Sequence, residues 1–354
     1  MKAVVLCAGE GTRMKPFTFS KPKQMLPIAN KPVIHFALEN LKMMGIEDVG
    51  IVVNGKNLEY FMRELGNGEK FGLNLSYIVQ EEPLGLAHAV KSAEDFVKKE
   101  EFVLYLGDNL IKTDLGKLIE KFERERPSSL ILVDRVDDPS RFGVVVMDEK
   151  NEKVVKLVEK PKEFISDLAI IGMYIFDERI FDAIERIRPS ARGEYEITDA
   201  IGKLIEMDLK VGIVKLDGWW MDIGSPGDLL KANERILKEN EKKFKVRASV
   251  VKTRTFGEID VPENSHIEGS ILEGPVVVGE NVRIVGSKVG PNVSLGDRVN
   301  VEGSVLENSI VMRDSRIENT ILMNSVIGEK VSIVGNGEKV KILVGDCGKL
   351  EIFE

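Results

Sequence analysis

Six cationic side chains, Lys2, Arg13, Lys15, Lys21, Lys23 and Lys31, fall within the first 31 residues against a single acid, Glu10. In a chain of formal net charge -8 this is a local excess of positive charge, and it surrounds Gly9-Glu10-Gly11-Thr12-Arg13. The glycines follow the apolar run Ala3 to Leu6. A turn after a strand in an open sheet can aim backbone N–H groups at a phosphate, so the chemistry suggested is anion binding. Two standard phosphate motifs fail here. The spacing and the Gly-Lys-Ser/Thr ending of a Walker A loop are missing, and the third glycine of a dinucleotide fingerprint would fall at Met14. Scattered lysines alone read as a solvated face; glycines and an arginine at fixed offsets after a buried strand favour phosphate binding. Asp108 follows the apolar run Phe102 to Leu106 after Gly107, and strand carboxyl ends are where open α/β sheets place ligands. Asp222 follows Trp219-Trp220. Taken singly, either aspartate is a turn former.

Composition narrows the chemistry further. With 354 residues, 43% hydrophobic and 31% charged, the chain suggests two domains, and it contains no apolar run of the ~18 residues that would span a bilayer. The start MKAVVLCAGEG lacks a secretory layout, so a soluble, cytoplasmic protein without a membrane partner is expected. Cys7 and Cys347 are too few for a disulfide framework or a zinc site, and His35, His88 and His266 are scattered. The acidic balance argues against a nucleic-acid partner. A small-molecule ligand is expected.

The elements that must position these residues are of two kinds. Residues 1–240 alternate short β-branched runs with amphipathic stretches, the pattern of an α/β domain with a Rossmann-like, mostly parallel sheet. Strands are expected at Ala3 to Leu6, Val49 to Val53, Leu75 to Val79, Phe102 to Leu106, Leu130 to Val133 and Val211 to Leu216. Helices are expected at Val33 to Met44, stopped by Gly45, at Leu58 to Leu65 and at Leu115 to Arg126. Ser225-Pro226-Gly227-Asp228 is a helix start, with Ser as N-cap and Pro at the first helical position, and that helix should run to about Lys243. Residues 241–354 change character. Val289, Leu295 and Val301 are spaced by six, as are Val293, Val299 and Val305, with Gly290, Gly296 and Asn308 at turn-like positions. Such hexads read as a parallel β-helix of three hexads per coil, about five coils over residues 255–345, with a slip to five residues near Asn308 to Ile327. The competing interpretation is a β-sandwich.

These residues carry a resemblance. Gly9-x-Gly11-Thr12-Arg13 and Lys21-Pro22-Lys23-Gln24-Met25-Leu26-Pro27 resemble the opening of the sugar-1-phosphate nucleotidyltransferases. The likeness continues, in order, through Gln80, Pro83-Leu84-Gly85-Leu86-Ala87-His88-Ala89, Leu106-Gly107-Asp108-Asn109, Arg141-Phe142-Gly143-Val144, Glu159-Lys160-Pro161, Arg192-Gly193-Glu194-Tyr195-Glu196-Ile197-Thr198-Asp199 and Trp220-Met221-Asp222-Ile223-Gly224. Within that family the chain is most similar to the long-type glucose-1-phosphate thymidylyltransferases, which carry an added left-handed β-helix. Two departures occur: Cys7-Ala8 replaces the more usual Ala-Gly, and Phe142 stands where Tyr is common.

The resemblance implies attack of a sugar-1-phosphate oxygen on the α-phosphorus of dTTP, with UTP as the alternative, and departure of pyrophosphate. Two anions must meet, so charge neutralisation and alignment dominate. Arg13 and Lys23 match the catalytic positions, and Asp108 and Asp222 match the ligands of Mg²⁺. Nucleotide contacts are implied for Leu6, Ala8, Gly9, Gly11, Thr12, Arg13, Gln24, Gln80, Pro83 and Gly85. The chain's two glutamines, Gln24 and Gln80, both lie inside the motifs, and Gln80 matches the side chain that reads the pyrimidine edge. Asn109, Gly143, Glu159, Lys160 and Ile170 are implied on the glucose-1-phosphate side, although Glu159-Lys160 alone is only a charged strand end. The β-helix, with flat apolar faces, is expected to assemble a homo-oligomer.

Rival readings are a uridylyltransferase acting on glucose-1-phosphate or N-acetylglucosamine-1-phosphate, a bifunctional acetyltransferase with His266 as the candidate base, and a non-catalytic assembly subunit. A nicotinamide-dependent dehydrogenase is opposed by the failed fingerprint.

Overall fold

The computed structural model describes residues 1–150, 152–239 and 245–352. The chain divides into two compact units, each discontinuous in sequence. The first comprises residues 1–9 and 34–222, the second residues 10–33 and 223–354.

The strands and helices through residue 239, in chain order, are β1 (Lys2–Leu6), β2 (Pro27–Ile28), β3 (Lys31–Pro32), α1 (Val33–Met43), β4 (Asp48–Asn54), α2 (Leu58–Leu65), β5 (Asn74–Gln80), α3 (Leu86–Lys91), α4 (Glu94–Val97), β6 (Phe102–Leu106), β7 (Asn109–Thr113), α5 (Gly116–Glu125), β8 (Ser129–Arg135), β9 (Gly143–Met147), β10 (Val154–Glu159), β11 (Leu168–Phe176), α6 (Arg179–Glu185), α7 (Ile197–Glu206), β12 (Val211–Lys215), β13 (Gly218–Asp222) and α8 (Pro226–Glu239).

In the first unit a nine-stranded sheet runs β10-β9-β11-β6-β1-β4-β5, with β8 beside β11 and β12 beside β8. The expected parallel core is present in β6-β1-β4-β5 and in the β12–β8 pair. Antiparallel strands extend it: β11 runs against β6 and β8, and β9 against β10 and β11. β11 is buried over all nine residues, so its run of apolar side chains shows no alternation. Helices α3, α6 and α7 supply Ala87, Val90, Ile184, Ala200 and Leu204 to the core on one face. The expected helix stop is a Schellman closure: Gly45 takes φ 76°, its N–H donates to the Lys42 carbonyl, and the Ile46 N–H reaches back to Leu41.

In the second unit, α8 begins where the sequence predicts. The Asp228 N–H donates to Ser225 Oγ at 3.3 Å, and that hydroxyl donates to the Asp228 carboxylate at 2.6 Å. Its observed end is Glu239, and the expected stretch to Lys243, like the boundary at residues 240–241, lies outside the described residues. Beyond it, three parallel sheets of seven, six and six short strands form the left-handed β-helix. Ile267, Ile284, Val301, Ile317 and Ile333 stack inward in the first sheet, all fully buried. Ile267 to Ile284 to Val301 are steps of 17 residues, and Val301 to Ile317 to Ile333 are steps of 16. Coils in this sheet are therefore shorter than three hexads, not only near Asn308, whereas in the second sheet the step from Ile321 to Lys339 keeps the full 18 residues. Corner hydroxyls close the difference: Ser270 accepts from Ser287 N–H, Ser287 from Ser304 N–H and Ser304 from Thr320 N–H, each at 3.1 Å. A buried hydroxyl that both accepts and donates satisfies main-chain groups that a tight corner would orphan.

Candidate active site

In the first unit the predicted residues gather along one edge of the sheet, at the carboxyl ends of its parallel strands. β1 ends at Leu6, and its ladder continues one step further: Cys7 N–H donates to Val52 at 2.7 Å and Gly107 N–H to Leu6 at 3.0 Å. Asn54, at the end of β4, donates to the Ala8 carbonyl at 3.1 Å and stands opposite Gln80 in register. Leu6 and Ala8 are each 6% exposed, whereas Gly9 opens to solvent.

Gln80 closes β5 and is itself buried. Its amide nitrogen lies 3.3 Å from the Gly85 carbonyl and 3.0 Å from Nδ1 of His88 on α3. Pro83 occupies the exposed turn between them, where Leu84 N–H donates to Glu82 at 2.9 Å. Gly85 is required by its surroundings. It takes φ 110°, and a Cβ there would stand 2.6 Å from the Tyr195 carbonyl oxygen, whose partner is the Ala87 N–H at 3.0 Å.

The two aspartates are brought to the same end of a small ribbon. β13 pairs antiparallel with β7 so that Asp222 stands opposite Asn109, the residue after Asp108. Asn109 is 4% exposed and donates from Nδ2 to the Asp108 carboxylate at 3.2 Å, and its carbonyl accepts from the Tyr105 hydroxyl at 3.3 Å. Burial pushes the Tyr105 phenol up, so it stays a neutral donor. Trp220, two residues before Asp222, is fixed by donating Nε1–H to Asp134 at 3.1 Å. Among the described residues no third His, Cys, Asp or Glu joins the pair to make an all-protein cage. Two carboxylates, with phosphate oxygens and water to complete the set, would suit a small hard cation such as Mg²⁺ better than zinc or calcium.

Gly143, Glu159 and Ile170 also come together. Glu159 pairs with Gly143, and Val144 pairs with Ala169, beside Ile170. The Glu159 carboxylate occupies the space a side chain at Gly143 would take: a Cβ there would stand 3.0 Å from Glu159 Oε2, 2.7 Å from Thr198 and 3.4 Å from Ile170. Thr198 donates its hydroxyl to Glu159 at 3.2 Å, Arg192 Nη1 lies 3.5 Å from the carboxylate, and Lys160 Nζ lies 3.8 Å from it. The nearby Glu196, 2% exposed, accepts from Ser190 at 2.8 Å and from Arg192 at 3.2 Å. Burial nevertheless holds its carboxyl above the ordinary glutamate range, helped by the neighbouring negative charge of Glu159. Burial raises Asp199 in the same way.

Arg13, Lys23 and Gln24 belong to the second unit. Gly11 adopts the left-handed conformation at φ 63° and opens a short 3₁₀ turn, Thr12–Met14, anchored by the buried Met14. The Gly11 carbonyl accepts from Thr18 Oγ at 2.9 Å, and a Cβ at Gly11 would stand 3.4 Å from that of Lys23. Arg13 is exposed and makes no ion pair among the described residues. Gln24, 1% exposed, keeps its Oε1 without a hydrogen-bond partner. A buried acceptor left unmatched is costly unless a ligand supplies the donor.

The six early cations do not act as one group. Lys2 pairs with Glu100 at 2.8 Å and donates to the Phe96 carbonyl. Lys21 is internal to the second unit: its side chain is 3% exposed, and its ammonium lies 2.5 Å from Glu329 and 3.1 Å from Asp346 of the β-helix. Sequence reading missed the partners Arg192, Thr198 and His88, all of which stood inside quoted motifs without being assigned a place.

The Nucleotidyl transferase family matches residues 2–239. The chain is 38% identical over 357 residues to a glucose-1-phosphate thymidylyltransferase of Streptomyces antibioticus, covering 99% of each. It is 43% identical over 266 residues to the low-salt glycan biosynthesis nucleotidyltransferase Agl11 of Haloferax volcanii, covering 75% of this chain and 74% of that one. Among solved structures, a putative glucose-1-phosphate thymidylyltransferase from Bacillus anthracis in complex with a sucrose is similar, with a TM-score of 0.62 and 36% identity over 66% of this chain and 94% of that one. The β1 turn, the paired aspartates and the Glu159 row thus lie within the matched span, and the chain belongs to the nucleotidyl transferase family.

Proposed function

We propose that the protein transfers a thymidylyl group from dTTP to glucose-1-phosphate, releasing dTDP-glucose and pyrophosphate with Mg²⁺ as cofactor. The observation that carries this reading is the single sheet edge on which Leu6–Gly9, Gln80, Asp108 and the Glu159 row stand side by side. In the reaction a phosphate oxygen of the sugar phosphate forms a bond to the α-phosphorus. The bond from that phosphorus to the bridging oxygen breaks, and the oxygen leaves with its electron pair on pyrophosphate. Arg13 holds triphosphate oxygens with its planar fork, and Lys23 places a compact charge near the α-phosphate. Gln80 reads the base. Glu159, preset by Thr198, accepts from sugar hydroxyls, while Lys160 and Arg192 beside it face the sugar phosphate. Asp108 and Asp222 would hold Mg²⁺, which when bound supplies charge neutralisation to phosphate oxygens.

Thymine and uracil differ by one methyl group, worth only ~1–3 kcal/mol in an apolar pocket, so measurable UTP use is part of the proposal. We assign residues 1–240 to the catalytic region and 241–354 to the β-helix region, and the use of nucleoside triphosphates supports a cytoplasmic location. No helix among the described residues is long and apolar enough to cross a membrane. Val250, Val251, Phe256 and Ile271, exposed on the early coils, supply apolar surface for a homo-oligomer. A monomeric mass by sedimentation at micromolar protein would overturn the oligomer.

The test is pyrophosphate release with Mg²⁺, pairing glucose-1-phosphate or N-acetylglucosamine-1-phosphate with each nucleoside triphosphate. The expected result is strongest turnover with dTTP and glucose-1-phosphate and weaker turnover with UTP. No release with any pair would overturn the enzymatic reading.

A further inference from the structure

The Gln80 amide is held from two sides, and the chemistry of those sides fixes its orientation. Its terminal nitrogen lies 3.3 Å from the Gly85 carbonyl oxygen and 3.0 Å from His88 Nδ1. A main-chain carbonyl only accepts, so the amide atom facing it must be the NH₂ group rather than the oxygen. The same NH₂ then meets His88 Nδ1, which must itself accept. Nδ1 of His88 therefore faces the amide as the acceptor, the tautomer that carries a proton on Nε2. Both Gln80 N–H bonds are directed inward, and Oε1 remains to meet a ligand.

We propose that His88 sets the base selectivity of the site by acting through Gln80: its Nδ1 locks the amide with the acceptor turned toward the base. An outward acceptor matches the N3–H of thymine or uracil. It opposes cytosine, whose N3 is itself an acceptor, and two facing acceptors leave both groups unpaired. Without an acceptor at position 88 only the longer contact to the Gly85 carbonyl, at 3.3 Å, holds the NH₂ inward, so the amide turns its NH₂ outward more readily, which suits cytosine. His88 is a positioning residue, since it touches Gln80 rather than the reacting atoms. Its own place is fixed: Ala87 and Val90 are fully buried, and its carbonyl accepts from Ser92 N–H at 3.1 Å. The inference rests on the reading of Gln80 as the base-reading side chain.

The test compares kcat/KM for dTTP and dCTP, with glucose-1-phosphate and Mg²⁺, in the full-length protein and in His88→Leu, His88→Ala, His88→Asn and Gln80→Ala. Asparagine carries its Oδ1 the same number of bonds from Cβ as histidine carries Nδ1, so it restores the acceptor. The Leu and Ala variants should lower the dTTP-to-dCTP ratio by about tenfold or more, and Asn should keep it within about threefold of wild type. A structural defect alone would depress both nucleotides and leave the ratio unchanged. If Gln80→Ala collapses the ratio while His88→Leu and His88→Ala preserve it, the role of His88 is overturned and the reading of Gln80 stands. If Asn behaves like Leu, the acceptor argument is overturned. If Gln80→Ala itself preserves the ratio, the base-reading assignment fails, and the role of His88 fails with it.

Discussion

The ammonium of Lys21 lies 2.5 Å from the carboxylate of Glu329, in a site where the lysine side chain is 3% exposed. Lys21 and Lys23 flank one proline in sequence, yet their surroundings differ: one is an internal ion, the other stands beside the glycine turn. Removing one partner of a buried pair leaves an uncompensated charge, which typically costs ~3–5 kcal/mol. Glu329→Ala should therefore destabilise by about 3 kcal/mol, somewhat cushioned by Asp346, and urea unfolding would measure it. A loss below about 0.5 kcal/mol would show that the pair is effectively solvated.

Asp108→Asn and Asp222→Asn should each lower kcat by ~10²-fold or more, as loss of charge stabilisation at the reacting phosphates requires. The diagnostic is a titration of rate against Mg²⁺, which should shift to higher concentration in both variants. Near-normal turnover with an unchanged Mg²⁺ midpoint would remove the two aspartates from the metal site.

Gln24 offers a contrast between stability and binding. Its Oε1 is buried without a partner, so Gln24→Leu removes an unsatisfied acceptor and should leave the melting temperature unchanged or raised. The nucleotide KM should rise roughly 5- to 50-fold if a ligand hydroxyl or N–H normally satisfies that oxygen, a loss of ~1–2 kcal/mol. An unchanged KM would make Gln24 a packing residue.

Glu196 predicts a pH-dependent stability. Its folded carboxyl binds its proton more tightly than the unfolded one, because burial disfavours the charged form. Stability is therefore lost as pH rises from the ordinary glutamate value through the raised one, and the deficit persists above it. Glu196→Gln lacks this penalty, so its melting temperature relative to wild type should rise between about pH 4 and pH 8. A difference that stays flat, or falls with pH, would mean that the Arg192 pairing outweighs burial.

Much of the scaffold was legible because its signals are local. Strands β1, β4, β5 and β6 read from β-branched runs, and Ser225-Pro226 marked the start of α8 by cap chemistry. β11 escaped because a strand buried on both faces has no period of two to detect. The coil length of mostly 17 or 16 residues was also hidden, since the hexad governs inward side chains whereas the corners are set by hydroxyl and left-handed residues such as Asn281 and Asn308. For the site, motif residues were recognisable as a set, but the hold of Thr198 on Glu159 arises only when α7 meets the end of β10, and that of His88 on Gln80 only when α3 turns back on the end of β5. Lys21 shows the converse failure. Charge counting assigns every early lysine to the anion, and only burial separates an internal ion from a ligand.

The turn carrying Arg13 and Lys23 is grouped with the coils, although more than two hundred residues of chain separate them. Chimeras between relatives should respect that division. A crossover placed only near residue 240 would graft foreign coils beneath a native turn and strand Lys21 without its two acids. A swap that carries residues 10–33 along with residues 223–354 moves a self-consistent block, so recombination libraries should yield active members chiefly when both junction pairs travel together.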